Sequence, residues 1–122
     1  MLFRSQKIKE GRESSLSLIA DKLSSRAIAD AAKAGDSLAK EAFEYAGVFL
    51  GQAIAGLLHL FNPTILVLGG GVMNSGDLIM HPIKRIIDES VMSPAYTKDL
   101  QIRKASLGEQ AGLVGALVLA RG

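Results

Sequence analysis

Cysteine is missing from all 122 residues, which excludes a disulfide framework and any thiolate zinc site. Tryptophan is missing as well, and the two histidines form no His-x-x-x-His pair of the kind that holds a metal on one helix face. His59 lies in an apolar helical run and His81 directly precedes Pro82, so both read as structural residues. Charge is nearly balanced: Lys and Arg number 14 against 12 Asp and Glu, and the excess sits mostly at Arg4, Lys7, Lys9 and Arg12. With no basic stripe and no interleaved aromatics, nucleic acid is not an expected partner of this segment. The leading MLFRSQKIKEG lacks the apolar run of a secretory signal, so a cytoplasmic location is expected.

What is present describes a folded protein. Hydrophobic residues make up 48% of the chain and charged residues 21%, the composition of a globular domain with a real core. The length suits one domain and is short for a two-lobed enzyme, so a piece of a longer protein is expected. Residues 1–15 are polar and patternless and predict an irregular lead-in; residues 16–122 carry the folded unit. Leu16, Ile19, Ala20 and Leu23 follow helical spacing, and Ser24 or Ser25 can cap a helix running through Ala34 to Gly35. Asp36 can cap the next helix, SLAKEAFEYAGVFLGQAIAGLLHLF, which must stop before Asn62-Pro63 because the residue preceding proline is pushed out of the α region.

The back half of that helix, Ala42 to Phe61, approaches membrane-like composition. Glu44, Gln52 and His59 interrupt it and no Lys or Arg cluster flanks its far end, so a buried helix of a soluble protein is the expectation and a membrane is not. Gly47, Gly51 and Ala55 recur on one stripe, where a neighbouring element can approach closely. Thr64 to Leu68 is a short apolar run, rich in β-branching, between a proline and a glycine, and reads as a buried parallel strand. A helix follows, with Pro82 either at its first position or inside a helix begun near Asp77. Leu100 to Arg103 alternates as a second strand, and Glu109 to Arg121 makes a last helix whose Gly112, Gly115 and Ala116 also predict a close neighbour. The order strand, helix, strand implies parallel pairing in an α/β layer fold. Two strands leave that sheet incomplete, so further strands must come from elsewhere.

Between the first strand and its helix stand Gly69, Gly70 and Gly71. The triplet is not a dinucleotide fingerprint, because the third glycine position is Asn74, and not a Walker loop, because no lysine occurs between Lys40 and Lys84. Ligands of open α/β sheets bind beyond the carboxyl ends of strands, and residues without a Cβ let a phosphate or a purine lie against the main chain. On this geometry two readings stand: a nucleotide contact, or a turn that needs positive φ.

The segment SSRAIADAAKAGDSLAKEAFEYAGVFLGQAIAGLLHLFNPTILVLGGGV, with the closing ASLGEQAGLVGALVLAR, resembles the C-terminal lobe of ROK-family proteins, which are bacterial sugar kinases and related sugar-responsive repressors. The most specific stretches are Ala32 to Asp36, Asn62-Pro63 with the strand into Val72, and Leu107 to Gly112 through Gly115-Ala116. The resemblance implies the actin-like, ribonuclease H-like ATPase fold with ATP between two lobes. It also implies that Gly69, Gly70, Gly71 and Val72 form the adenosine motif, and that the intact protein uses ATP and Mg²⁺ to phosphorylate a hexose as a homo-oligomer. The alternative is the effector lobe of a repressor. The family's phosphate-binding Asp-x-Gly-Gly-Thr loop, catalytic aspartate, sugar-binding residues and zinc motif have no counterparts in this chain, so no catalytic residue or metal ligand is expected here and the chain alone should be inactive. Asp36, Asp77, Asp88, Glu89 and Glu109 read as helix-terminal or solvent-facing carboxylates.

Overall fold

The computed structural model describes residues 24–122. The lead-in over residues 1–15 and the helical spacing of Leu16, Ile19, Ala20 and Leu23 lie outside that range. Helix α1 spans Ser25–Lys33, and Ser24 is its cap: the side chain accepts the Ala27 N–H at 3.1 Å, satisfying a donor the first turn cannot. Asp36 performs the same task for helix α2, Ser37–Phe61, where Oδ1 accepts the Ala39 N–H at 2.9 Å. At its far end Asn62 turns into the left-handed region, with φ of 42°, ahead of Pro63.

Strand β1 covers Ile65–Leu68 and pairs in parallel with β2, Gln101–Lys104, so that Leu66 meets Ile102 and Leu68 meets Lys104. The ladder extends one step beyond each end, since Thr64 O accepts the Gln101 N–H and Leu68 O accepts the Ala105 N–H, both at 2.8 Å. The second strand thus lies one residue further along than its alternation predicts. Between the strands comes a short 3₁₀ turn, Gly71–Ser75, and then helix α3, Asp77–Ser90. Pro82 falls inside α3, not at its first position. After a 3₁₀ turn at Gly108–Gln110 the chain closes with helix α4, Ala111–Arg121.

The core lies between α1, α2, α3 and one face of the sheet. Leu38, Leu58, Ile79, Ile83 and Ile87 are almost wholly removed from water, and Leu66, Leu68 and Ile102 pack against this cluster from β1 and β2. Strand alternation puts Ile65 and Val67 on the other face, where both are exposed, so β1 pairs in parallel but is not the buried strand its apolar run predicts: among the described residues no second layer covers this face. The glycine stripe of α2 is where α3 approaches. A Cβ at Gly47 would sit 2.5 Å from Pro82 Cγ, and one at Gly51 would sit 2.7 Å from Ile86 Cβ and 3.0 Å from the Ile83 carbonyl oxygen. An Arg85–Glu44 ion pair closes the same seam on the surface.

Two further expectations of burial need correction. Helix α2 is long and apolar enough to cross a membrane by length and composition, yet it is buried along one stripe and not on all sides: Tyr45, Phe49, Leu57 and Leu60 stand exposed on the surface it turns away from the core. A sheet of two strands is too narrow to cover a helix of this length. The close neighbour predicted along Gly112 and Gly115 of α4 is absent among the described residues. No atom lies within 4 Å of a Cβ built at either glycine, and α4 leaves Leu113, Leu117 and Leu119 exposed.

Candidate functional site

The parallel pairing decides what can meet at the top of the sheet. Both strands end on the same side, so the chain leaving β1 at Gly69 runs beside the chain leaving β2 at Ala105, and a Cβ at Gly69 would touch the Ala105 side chain at 3.5 Å. Gly69, Gly70 and Gly71, with Met73 and Asn74, form one wall of a cleft of about 120 Å³; Lys104, Ala105 and Gly108 form the other. A broader hollow of about 600 Å³ opens on the far side of Gly71 and Asn74, bordered by Arg26, Asp30 and Lys33 of α1 and by Ser75. Gly71 and Asn74 border both.

Gly70 carries φ of 97°, a conformation L side chains avoid, so the turn does require a glycine there. That requirement coexists with open space: among the described residues no heavy atom lies within 4 Å of a Cβ at Gly70 or at Gly71. Gly70 and Gly71 therefore present bare main chain to open space at the carboxyl ends of two parallel strands. Val72, predicted with the glycines, belongs to the following 3₁₀ turn and does not line the cleft. Asn74, Lys104 and Gly108 do line it and were not singled out as site residues from sequence. Lys104 Nζ donates to Asn74 Oδ1 at 2.7 Å, a contact across the cleft between residues far apart in the chain that no local spacing announces.

Asp36, Asp77 and Glu89 behave as helix-terminal and surface groups. Asp36 caps α2, Asp77 sits in the first turn of α3 where its charge suits the helix dipole, and Glu89 reaches Arg85 one turn back at 3.4 Å. Among the described residues no three His, Asp or Glu gather as a metal site would require. His59 Nε2 accepts the Met92 N–H at 3.1 Å, and its ring meets Tyr96 edge-on with centroids 4.9 Å apart, which is a structural role.

Known structures share this arrangement. A ROK family glucokinase from Streptomyces griseus, solved with glucose and AMPPNP, superposes with a TM-score of 0.83 at 30% identity over 98% of this chain and 40% of its own. The glucokinase of Halalkalibacterium halodurans is 36% identical over 111 residues, 88% of this chain and 33% of that protein. The N-acetylglucosamine repressor of Escherichia coli is 31% identical over 114 residues, 93% of this chain and 27% of that protein. The fold is the α/β C-terminal lobe of an actin-like ATPase, with an open sheet of two parallel strands. The ROK family profile matches residues 8–122, and the chain belongs to the ROK family. It spans about a third of the length of the curated glucokinases it matches.

Proposed function

We propose that the chain is the C-terminal part of a cytoplasmic, ATP-dependent hexose kinase of the glucokinase kind, and that Gly69, Gly70 and Gly71 form the wall on which the adenosine half of ATP lies, with Val72 behind them. The observation that carries the reading is the open space over Gly70 and Gly71 at the carboxyl ends of β1 and β2. Main chain without Cβ atoms admits a flat purine or a ribose to van der Waals distance, and the adjoining hollow beside α1 leaves room for the rest of the nucleoside. The nucleotide, when bound, would supply the transferable phosphoryl group, and Mg²⁺ held by the remainder of the longer protein would neutralise its charge. This chain's part is to bind and orient that nucleotide. The base that takes the sugar hydroxyl proton and the residues that hold the hexose belong to the remainder of the longer protein, because among the described residues no carboxylate lines the cleft.

Backbone amide spectra of the 122-residue chain titrated with AMPPNP test this directly. Shifts should concentrate at Gly69 to Gly71 and at Ala105 to Gly108. Shifts confined to other elements, or none at millimolar nucleotide, would overturn the assignment. The relationship to the N-acetylglucosamine repressor leaves a second reading beside this one, the sugar-sensing lobe of a transcriptional regulator. Hexose-dependent ADP release by the longer protein decides for the kinase; sugar binding without turnover decides for the regulator.

A further inference from the structure

The cleft above the glycine triplet carries one charge on its described side chains. Its other lining residues there are glycine, alanine, methionine or asparagine, whereas Lys104 brings an ammonium to the rim. That ammonium donates to Asn74 Oδ1 at 2.7 Å, and among the described residues no carboxylate pairs with it. A lysine ammonium has three donors, so the Asn74 bond holds it in place and leaves two donors for something else. The register puts it there: Lys104 pairs with Leu68, the residue immediately before the triplet, on the face of the sheet that also carries the core contacts. A cation fixed beside bare main chain, with no counter-charge among the described residues, suits an anion.

We infer that Lys104 is a nucleotide-binding residue that contacts a phosphate oxygen of ATP, held in position by Asn74. The inference rests on the nucleotide reading above and goes further, because it divides the site into a neutral surface for the nucleoside and one cationic point for the phosphate tail. Discrimination between phosphorylated and unphosphorylated ligands then resides in Lys104, while the glycines accept the nucleoside portion common to both. The contact lies at a solvent-accessible rim, so its strength falls as salt rises.

Calorimetric titration of the 122-residue chain with ATP and, separately, with adenosine distinguishes these roles. Lys104→Gln removes the charge and keeps a long polar side chain; it should weaken ATP binding about tenfold, the size of one partly screened ion contact, and leave adenosine binding unchanged. Lys104→Arg should retain the preference for ATP. Lys104 is exposed, and circular dichroism should report the same helical content in all three proteins. Equal loss for ATP and adenosine would show a merely structural role, and unchanged ATP affinity in Lys104→Gln would show no phosphate contact; either result overturns the inference while leaving the nucleotide wall in place. If the unmodified chain binds neither ligand, the nucleotide reading itself fails and this one with it.

Discussion

Three glycines of helix α2 should respond to alanine with opposite signs, although all occupy the interior of one helix. Gly51 faces α3: the added methyl carbon would lie 2.7 Å from Ile86 Cβ, 2.8 Å from Ile86 Cγ2 and 3.0 Å from the Ile83 carbonyl oxygen. None of these atoms is the free end of a flexible side chain. Ile86 Cβ is a branch point one bond from the backbone, and the Ile83 oxygen is backbone, so relief requires the two helices to move apart. Overpacking of this kind costs about 1–3 kcal/mol, whereas alanine gains about 0.8–1.0 kcal/mol of helix propensity over glycine. The balance for Gly51→Ala is a loss of up to about 2 kcal/mol, and the bulkier Gly51→Leu should lose more. Gly47→Ala should behave likewise, since its methyl would meet Pro82 Cγ at 2.5 Å. Gly56 is exposed with nothing within 4 Å of its Cβ position, so Gly56→Ala should gain about 0.8–1.0 kcal/mol. Urea titrations followed by circular dichroism measure all three. If Gly51→Ala stabilised the chain as much as Gly56→Ala, the close approach of α2 and α3 would be refuted.

Gly71→Val should weaken AMPPNP binding with the fold kept, because its Cβ meets open space; Gly70→Val should in addition lose stability to backbone strain at φ of 97°, and equal nucleotide affinity in Gly71→Val would tell against the wall. His59→Phe preserves the edge contact with Tyr96 but leaves the Met92 N–H without its acceptor, a loss of about 0.5–1.5 kcal/mol by thermal denaturation that His59→Gln should partly restore. The 122-residue chain by itself should release no ADP in response to glucose, and with Phe49, Leu60, Ile65, Val67 and Leu119 exposed it should elute larger than a 12.9 kDa monomer in size-exclusion chromatography.

Local chemistry was legible in the sequence. Ser24 and Asp36 cap the helices their side chains suit, Asn62-Pro63 stops α2, and the strand-helix-strand order leads to the parallel pairing. The glycine stripe of α2 also announced a close neighbour, which is α3. What escaped depends on partners distant in the chain. Pro82 can sit inside α3, despite the hydrogen bond it denies Leu78, because Gly47 makes room for its ring; nothing near Pro82 reveals this. Lys104 and Asn74 meet only because two strands end side by side. The triplet's position could be read, but not which residues of the 3₁₀ turn after it face the cleft: Gly71, Met73 and Asn74 line it and Val72 does not. The exposed faces of α2 and α4 reflect surface that the described residues are too few to cover.

The fit of Pro82 into Gly47 and of Ile86 into Gly51 works like a key with two teeth. The helices run in the same direction, and both pairs repeat after one turn, so a slip by one turn is the natural error. Slipped forward, Ile86 would strike Ala55, whose methyl fills the notch; slipped backward, Pro82 would strike Phe43. Only one setting closes. The glycine triplet is carried on the short connection between these two helices, so the lock also fixes where that bare stretch of main chain stands. Any opening or closing of a larger protein around it must then move α2, β1, the triplet and α3 as a single block, with the bending placed elsewhere.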